Sequence, residues 1–378
     1  MPIAPRAFVA AAAVIAASAA PFVADVTAYG AKGDGTTVDT AAIVAAVAAV
    51  AAHGGGTLLF PSGVFLTAPF NLTSNLEMRL ENATVRAVTD WASWPIVAPL
   101  PSYGRGRDFP GPRYGAFVGI NNASNVAITG VGGAGANWLD GQGAGWWEGK
   151  GNGTLRVTPG HLVETMWSTD IEISGVTLLD SPFWNTHLWS SQRIWVHDVS
   201  VQAPPKSPNT DGFDPDSSSD VLIERVTVSN GDDCIAIKSG WDGPGVAYGV
   251  PTRNVTFRDS HCDSPAGQGN CVAVGSEMSG GVEDVFVYNI TCVSSGSLID
   301  VKSTLGRGGY VRNVNLVGSR ILGTLAVALR VASTHFERPH SPARPPAKPL
   351  THCNPALGPG RPAPPFRSPT STATTTAR

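Results

Sequence analysis

The sequence predicts an all-β solenoid in which short strands stack coil upon coil. Three observations lead there. First, similar segments recur at an offset of roughly 20–40 residues, the mark of a repeat architecture. Asn209-Thr210-Asp211-Gly212-Phe213-Asp214-Pro215-Asp216-Ser217 aligns on its closing serine with Gly231-Asp232-Asp233-Cys234-Ile235-Ala236-Ile237-Lys238-Ser239. That alignment sets Asp211 against Asp233, Phe213 against Ile235 and Asp216 against Lys238, and the frame returns at residues 270–276 and 297–303. Second, from Asn125 onward a strand opens again and again with a polar residue followed by alternating apolar positions, at residues 125–128, 170–173, 193–196, 220–223, 254–257, 283–286 and 313–316. A single coil cannot bury such a face alone, so the coils must stack. Third, the 378 residues include 43 glycines and only 15% charged residues, which suits buried strands better than surface helices.

The elements follow in order. Residues 1–20 read as a secretory signal peptide: Arg6 supplies the positive start, residues 8–17 a short apolar run, and Ala17-Ser18-Ala19 the small residues for cleavage. The run is too short for a membrane span. The main domain is expected over residues 25–335. Its opening glycines, at 30, 33 and 35, lack the terminal Gly-Lys-Ser/Thr of a phosphate loop, which excludes nucleotide binding there. Asp39 or Thr40 is expected to cap an amphipathic helix running to about Ala52, placed to cover the N-terminal end of the core; Gly54 to Gly56 end it and a strand follows at 57–60. Residues 61–85 alternate turns with short strands. Residues 89–115, with Trp91, Trp94, Arg105, Arg107 and Arg113, read as a long loop that either walls a cleft or packs its tryptophans on the outside of the coils. Beyond about Arg330 the pattern dissolves, and residues 337–378, crowded with Pro, Arg, Ser and Thr, are expected to be extended or disordered.

Three acids fall on two adjacent turns: Asp211, and the pair Asp232-Asp233. Strands in successive coils lie about 4.8 Å apart, so the three should meet on one face. Asp is also common in turns, where it caps local backbone, but two acid turns in one register make a cluster, and clustered carboxylates drive one another's pKa upward. Glycoside hydrolysis needs such an arrangement: a protonated carboxyl for the leaving oxygen and an ionised one for water.

Asn209-Thr210-Asp211, Gly231-Asp232-Asp233, Gly275-Ser276-Glu277-Met278-Ser279-Gly280-Gly281 and Gly306-Arg307-Gly308-Gly309-Tyr310 together resemble glycoside hydrolase family 28, the polygalacturonases, and are most similar to plant-type members. The resemblance runs from about residue 26 to 324. It implies a right-handed parallel β-helix, hydrolysis of a pectin-like galacturonan with inversion, Asp232 as general acid, and Asp211 and Asp233 as bases holding the attacking water. It also implies an Asp-Gly-x-Gly turn, matched at residues 140–143. Asn209, Asn270, Lys302, Arg307 and His187 are the candidate substrate contacts, His187 being equally readable as structural.

There are departures from the family pattern. Gly269-Asn270-Cys271 stands where a Gly-His-Gly is expected. Asp300-Val301-Lys302 stands for Arg-Ile-Lys, putting a negative charge where a cation would attract a polyanion. The family also continues into further coils, which implies a shortened or replaced C-terminal end here. Lys238 is read as pairing with Asp216 one coil away, and Glu277 as structural, distant from the acids.

Six Asn-x-Ser/Thr sequons, at Asn71, Asn82, Asn122, Asn152, Asn254 and Asn289, fit a secreted, cell-wall protein. Five cysteines permit disulfides, with Cys262–Cys271 the expected pair because the two flank one loop. No spacing suggests a metal site and no cofactor is expected. The net charge of −3 argues against nucleic acid. A monomer acting on polysaccharide, with no membrane partner, is the expectation. Two other classes stay open: a β-helix that only binds cell-wall polysaccharide, and a lyase on the same fold.

Overall fold

The structure, a computed structural model, describes residues 22–265, 269–323 and 327–332. The expected leader and Pro-rich tail lie outside the described residues. Within them the chain winds as a right-handed parallel β-helix of three long sheets, of ten, nine and ten strands, each strand pairing in parallel with its counterparts in the neighbouring coils.

Apolar side chains point inward from all three sheets. One row, Ile128, Ile173, Val196, Ile223, Phe257 and Val287, stacks in strict register up the ten-stranded sheet that follows the acid-bearing sheet in each coil. Every member of it is fully buried. The polar residues that open these strands have a backbone reason. Asn125, Asp170, Arg193, Asp220, Asn254, Asp284 and Asn313 all sit in the left-handed region with φ of 53–59°, where Asn and Asp are tolerated best. Several bond to the equivalent residue one coil on: Arg193 donates to Asp170 at 2.6 Å and Asn254 to Asp220 at 2.6 Å. The polar repeat is thus an outer seam that fixes the register of the stack.

The helix Thr40–Ala52 buries Ile43, Ala46 and Val50, the i, i+3, i+7 stripe, against the first strands, Val23–Asp25 and Gly56–Phe60. Its expected cap is different in detail. The Asp39 carboxylate accepts from the backbone N–H of Lys32 and Gly33 rather than from the helix, while the Thr40 hydroxyl accepts from the Ala68 N–H.

The sheet that carries the acids includes the strands Val163–Met166, Thr186–Trp189, Phe213–Asp216, Ile235–Ile237, Val272–Val274, Ser297–Lys302 and Val327–Ala332. The serine-aligned register holds: Phe213 pairs with Ile235, and Asp216 with Lys238. Ile235 then pairs with Val272, and Val272 with Ile299.

The disulfide expectation is corrected. Cys271 bonds to Cys292, with Cα atoms 6.0 Å apart, while Cys262 and Cys234 are buried free thiols. Cys262 does lie near Cys271, its Sγ 4.0 Å from the Cys271 carbonyl oxygen, but Cys292, the register partner of Cys262 one coil on, takes the Cys271 sulfur. Cys271 instead faces the next coil, and the bridge ties two successive coils.

The loop at 89–115 divides its work. Trp91 stacks on Trp146 at 5.4 Å, and Trp94, 3% exposed, packs on Trp146 and Phe117, so these tryptophans are packing rather than a sugar-facing wall. Arg113 and Tyr103 instead reach the acid-bearing sheet, at Glu164 and Asp216, and Arg107 reaches Glu277 just beyond it.

Candidate active site

Asp211 stands two residues before the strand Phe213–Asp216, and Asp232-Asp233 stand just before Ile235–Ile237 in the next coil. Both turns rely on close backbone approach. A Cβ at Gly212 would lie 2.4 Å from the Cys234 carbonyl oxygen, and one at Gly231 would lie 2.1 Å from that of Ser207. Glycine at these two places lets the coils close up until carboxylate oxygens of Asp211, Asp232 and Asp233 lie within 4.8 Å of one another. The three acids therefore form one cluster, in which Asp232 is partly open to solvent and the others are buried.

The surroundings separate their charge states. Asp233 is gripped: its Oδ1 accepts from the backbone N–H of Asn270 at 2.9 Å and from the Asn270 side chain at 2.7 Å, and its Oδ2 from Lys302 at 2.6 Å. Burial pushes its pKa up, but the Lys302 charge, with these hydrogen bonds, brings it below the ordinary value. Asp232 goes the other way, pushed up to about 8 by burial and then by the charges of Asp211 and Asp233. Asp211 is raised as well, by burial first, with Lys238 opposing and Asp233 adding. Its Oδ1 is buried and accepts no hydrogen bond from the described residues. One carboxyl thus keeps its proton near neutrality beside another that stays ionised.

Of the candidate contacts, Asn270 and Lys302 come to the cluster, both through Asp233. Asn209 is half-buried at its rim, its amide oxygen accepting from Lys150. His187 is corrected as a sugar contact. It is 1% exposed, and its ring nitrogens are taken by Glu164 at 2.9 Å and Asp216 at 3.1 Å. Burial lowers its pKa, but those two carboxylates prevail and raise it. Arg307 is buried too, bound to Asp242 at 2.7 Å and to the Ser276 carbonyl, beneath the Trp241 ring, so it holds a turn rather than meeting a ligand.

Lys238 does neighbour Asp216 in the ladder, yet its side chain turns elsewhere. Its ammonium lies 3.5 Å from Asp211, 3.2 Å from Asp214 and 3.1 Å from Glu277, and 4.3 Å from the Trp184 ring centre. Asp216 takes Tyr103 at 2.6 Å and His187 instead. Glu277 is structural, as expected, but not remote: through Lys238 it belongs to the network supporting Asp211, and Arg107 from the long loop closes its other side at 2.9 Å.

Arg330 is the residue sequence reasoning missed. It sits in register with Asp300 one coil on, and its guanidinium grips the Asp300 carboxylate with Nε at 3.0 Å. Asp300 is fully buried, whereas Arg330 is 48% exposed. The negative charge that looked wrong for a polyanion is thus covered by a half-exposed cation. The only signal in the sequence was that residue 330 repeats the position of residue 300.

Comparison with known proteins bears on the family and the fold. Residues 115–321 match Glycosyl hydrolases family 28. A protein of Vitis vinifera described as a probable polygalacturonase is 42% identical over 298 residues, 77% of this chain and 59% of that one. An exopolygalacturonase of Zea mays is 30% identical over 291 residues, 74% of this chain and 62% of its own. Among solved structures, an exopolygalacturonase from Thermotoga maritima superposes with a TM-score of 0.68 at 28% identity, covering 80% of this chain and 76% of that chain. The chain spans about three-fifths of the length of the curated relatives it matches.

Proposed function

Because the chain belongs to glycosyl hydrolase family 28, we propose that it hydrolyses the glycosidic bonds of a pectin-like galacturonan outside the cell, with inversion at the anomeric carbon. The observation that carries the reading is one cluster of carboxylates, within 4.8 Å, in unequal surroundings: Lys302 and Asn270 grip Asp233 and favour its ionised form, while burial and the neighbouring carboxylates push Asp232 up. Asp232 gives its proton to the leaving oxygen. Asp211 and Asp233 share the attacking water, the unengaged Oδ1 of Asp211 accepting one of its hydrogens. The six sequons and the Cys271–Cys292 bridge support export to an oxidising compartment.

Stereochemistry is the point where simple spacing and this assignment part. Inverting enzymes generally hold acid and base about 6.5–9.5 Å apart and retaining ones about 5–5.5 Å, and the oxygens here lie within 4.8 Å. The proposal keeps inversion because Asp211 and Asp233 act jointly on the water, leaving none of the three free to attack the sugar. Incubation with pectic polymers, following reducing ends and ultraviolet absorbance together, tests the reaction class. New reducing ends without absorbance mean hydrolysis; absorbance means a lyase; neither means a binding module. Proton NMR in the first minutes then reads the anomer, and a product that keeps the substrate's configuration makes one of the acids a nucleophile.

Substrate charge gives a second check. Lys302 is tied to Asp233, so Lys302→Ala should lower kcat on any substrate by releasing Asp233 from its depressed pKa. Arg330 faces outward, so Arg330→Ala should raise KM for a uronate oligomer several-fold with little change in kcat. Equal effects of the two variants on both constants would remove the distinction.

A further inference from the structure

We propose that the chain carries a second saccharide site, for an acidic sugar, at the opposite end of the strands that lead away from the acids. The place is a cleft of about 390 Å³ whose lining includes Trp167, Tyr248, Gln192, Ser217, Ser219 and Arg253. From Asp211 to Ser217 the chain advances six residues along the strand, roughly 20 Å at about 3.3 Å per residue. The cleft is therefore separate from the acid cluster.

Its aromatic wall is built. Trp167 is 53% exposed yet fixed: its ring stands edge-on to buried Trp189, with centroids 4.7 Å apart. Tyr248 stacks on the same Trp189 at 5.5 Å, and its hydroxyl meets Ser190 at 2.8 Å. Trp189 is itself anchored by its indole N–H on the Ser102 hydroxyl at 2.9 Å. Two rings thus present themselves from one rigid support, which lowers the ordering cost of binding.

Trp167 also stands against a backbone cost. The turns after four successive strands of the acid-bearing sheet each hold a non-glycine residue of positive φ: Asn122 at 49°, Trp167 at 48°, Ser190 at 45° and Ser217 at 52°. The other three place Asn or Ser there. A bulky side chain in this region is strained, and here the strain sits under a half-exposed indole, the side chain whose flat apolar face and N–H suit the C–H face and hydroxyls of a pyranose.

The charge selects the ligand. Gln192, Ser219 and Arg253 are adjacent in register on three successive coils, each within the first two residues of its strand. Arg253 is exposed and makes no ion pair or side-chain hydrogen bond among the described residues. Its next neighbour in the ladder, Glu283, is already engaged by Arg312 and by the Tyr310 hydroxyl at 3.0 Å. A solvent-facing guanidinium beside an aromatic wall fits a sugar bearing a carboxylate. The site would hold a second stretch of the polymer while the cluster works on the first, and its choice of sugar rests on the function proposed above.

The test uses the full chain carrying Asp232→Asn, titrated with trigalacturonate by calorimetry. Two sites per chain are expected. Adding Arg253→Ala should leave one, with the affinity of the other weakened tenfold or more, and Arg253→Ala alone should hydrolyse trigalacturonate within about twofold of the parent. A reduced neutral galacto-oligosaccharide should not distinguish the Arg253 variant from its parent. A single site that survives Arg253→Ala, or two sites after it, overturns the proposal. If no hydrolysis is found but one Arg253-dependent site remains, the catalytic reading fails and this one stands.

Discussion

Asp232→Asn is expected to lower turnover by about 10²–10⁴-fold, the contribution of a positioned general acid, while leaving the fold in place. The amide has nearly the shape of the carboxyl and still accepts from the Asp233 N–H, which lies 2.9 Å from Oδ1. It cannot release a proton to a leaving alkoxide. Removing a carboxyl from a like-charged cluster should not destabilise the protein, so an unchanged thermal midpoint with collapsed kcat is the expected pair of results. The parent's pH profile should carry the same assignment. Asp232 works protonated, so the rate should fall as pH rises through about 8. Asp211 works ionised, and burial holds it above its ordinary value, so the acid limb should lie higher than a free carboxylate would place it. Near-normal turnover in Asp232→Asn would dismiss the residue as the acid.

The largest effect on stability is expected at Lys238. Lys238→Met keeps the length of the side chain and removes its charge, leaving Asp211, Asp214 and Glu277 buried together without their common cation. Breaking a buried pair costs about 3–5 kcal/mol, and a urea midpoint at pH 7 should show a loss of that order. The pH dependence follows from the shifts. Burial raises Glu277, but Lys238 and the arginines hold it well below its ordinary value. In the parent this contribution is fully present above the unfolded pKa of Glu and is lost as pH falls through the folded one. In the variant the same carboxylates lose their main counter-charge, and burial lifts their pKa values, so acid stabilises them as neutral groups. The gap between parent and variant should therefore narrow on acidification from pH 7 to about 4. A gap that stays constant would mean that the cost lies in packing against Trp184, not in charge.

The coil register was legible because it follows from a fixed physical spacing. Once the serines were aligned, Asp211 and Asp233 had to be neighbours, and Phe213–Ile235 is the observed pair. What escaped was whatever depends on the direction of a side chain or on a segment without period. Lys238 was placed beside Asp216 correctly as backbone, but a long flexible side chain goes where charge and an aromatic face draw it. The disulfide required knowing which of four buried cysteines face each other across successive coils. Tyr103 and Arg107 come from a loop whose composition said only that it was irregular, yet they contact Asp216 and Glu277. Arg330 had no motif at all, only the arithmetic of one further turn.

The outer seam of left-handed Asn, Asp and Arg residues bears on how such a molecule changes over generations. Phe213, Ile235, Val272 and Ile299 occupy the same place in successive coils, so those coils consume 22, 37 and 27 residues. Register is set at the seam and by the inward rows, not by the length of chain between them. A coil can therefore lengthen or shorten at its turns by a dozen residues without shifting its neighbours. Insertion and deletion become the ready means of reshaping the surface around the three acids, while substitutions in the seam itself should be scarce among descendants.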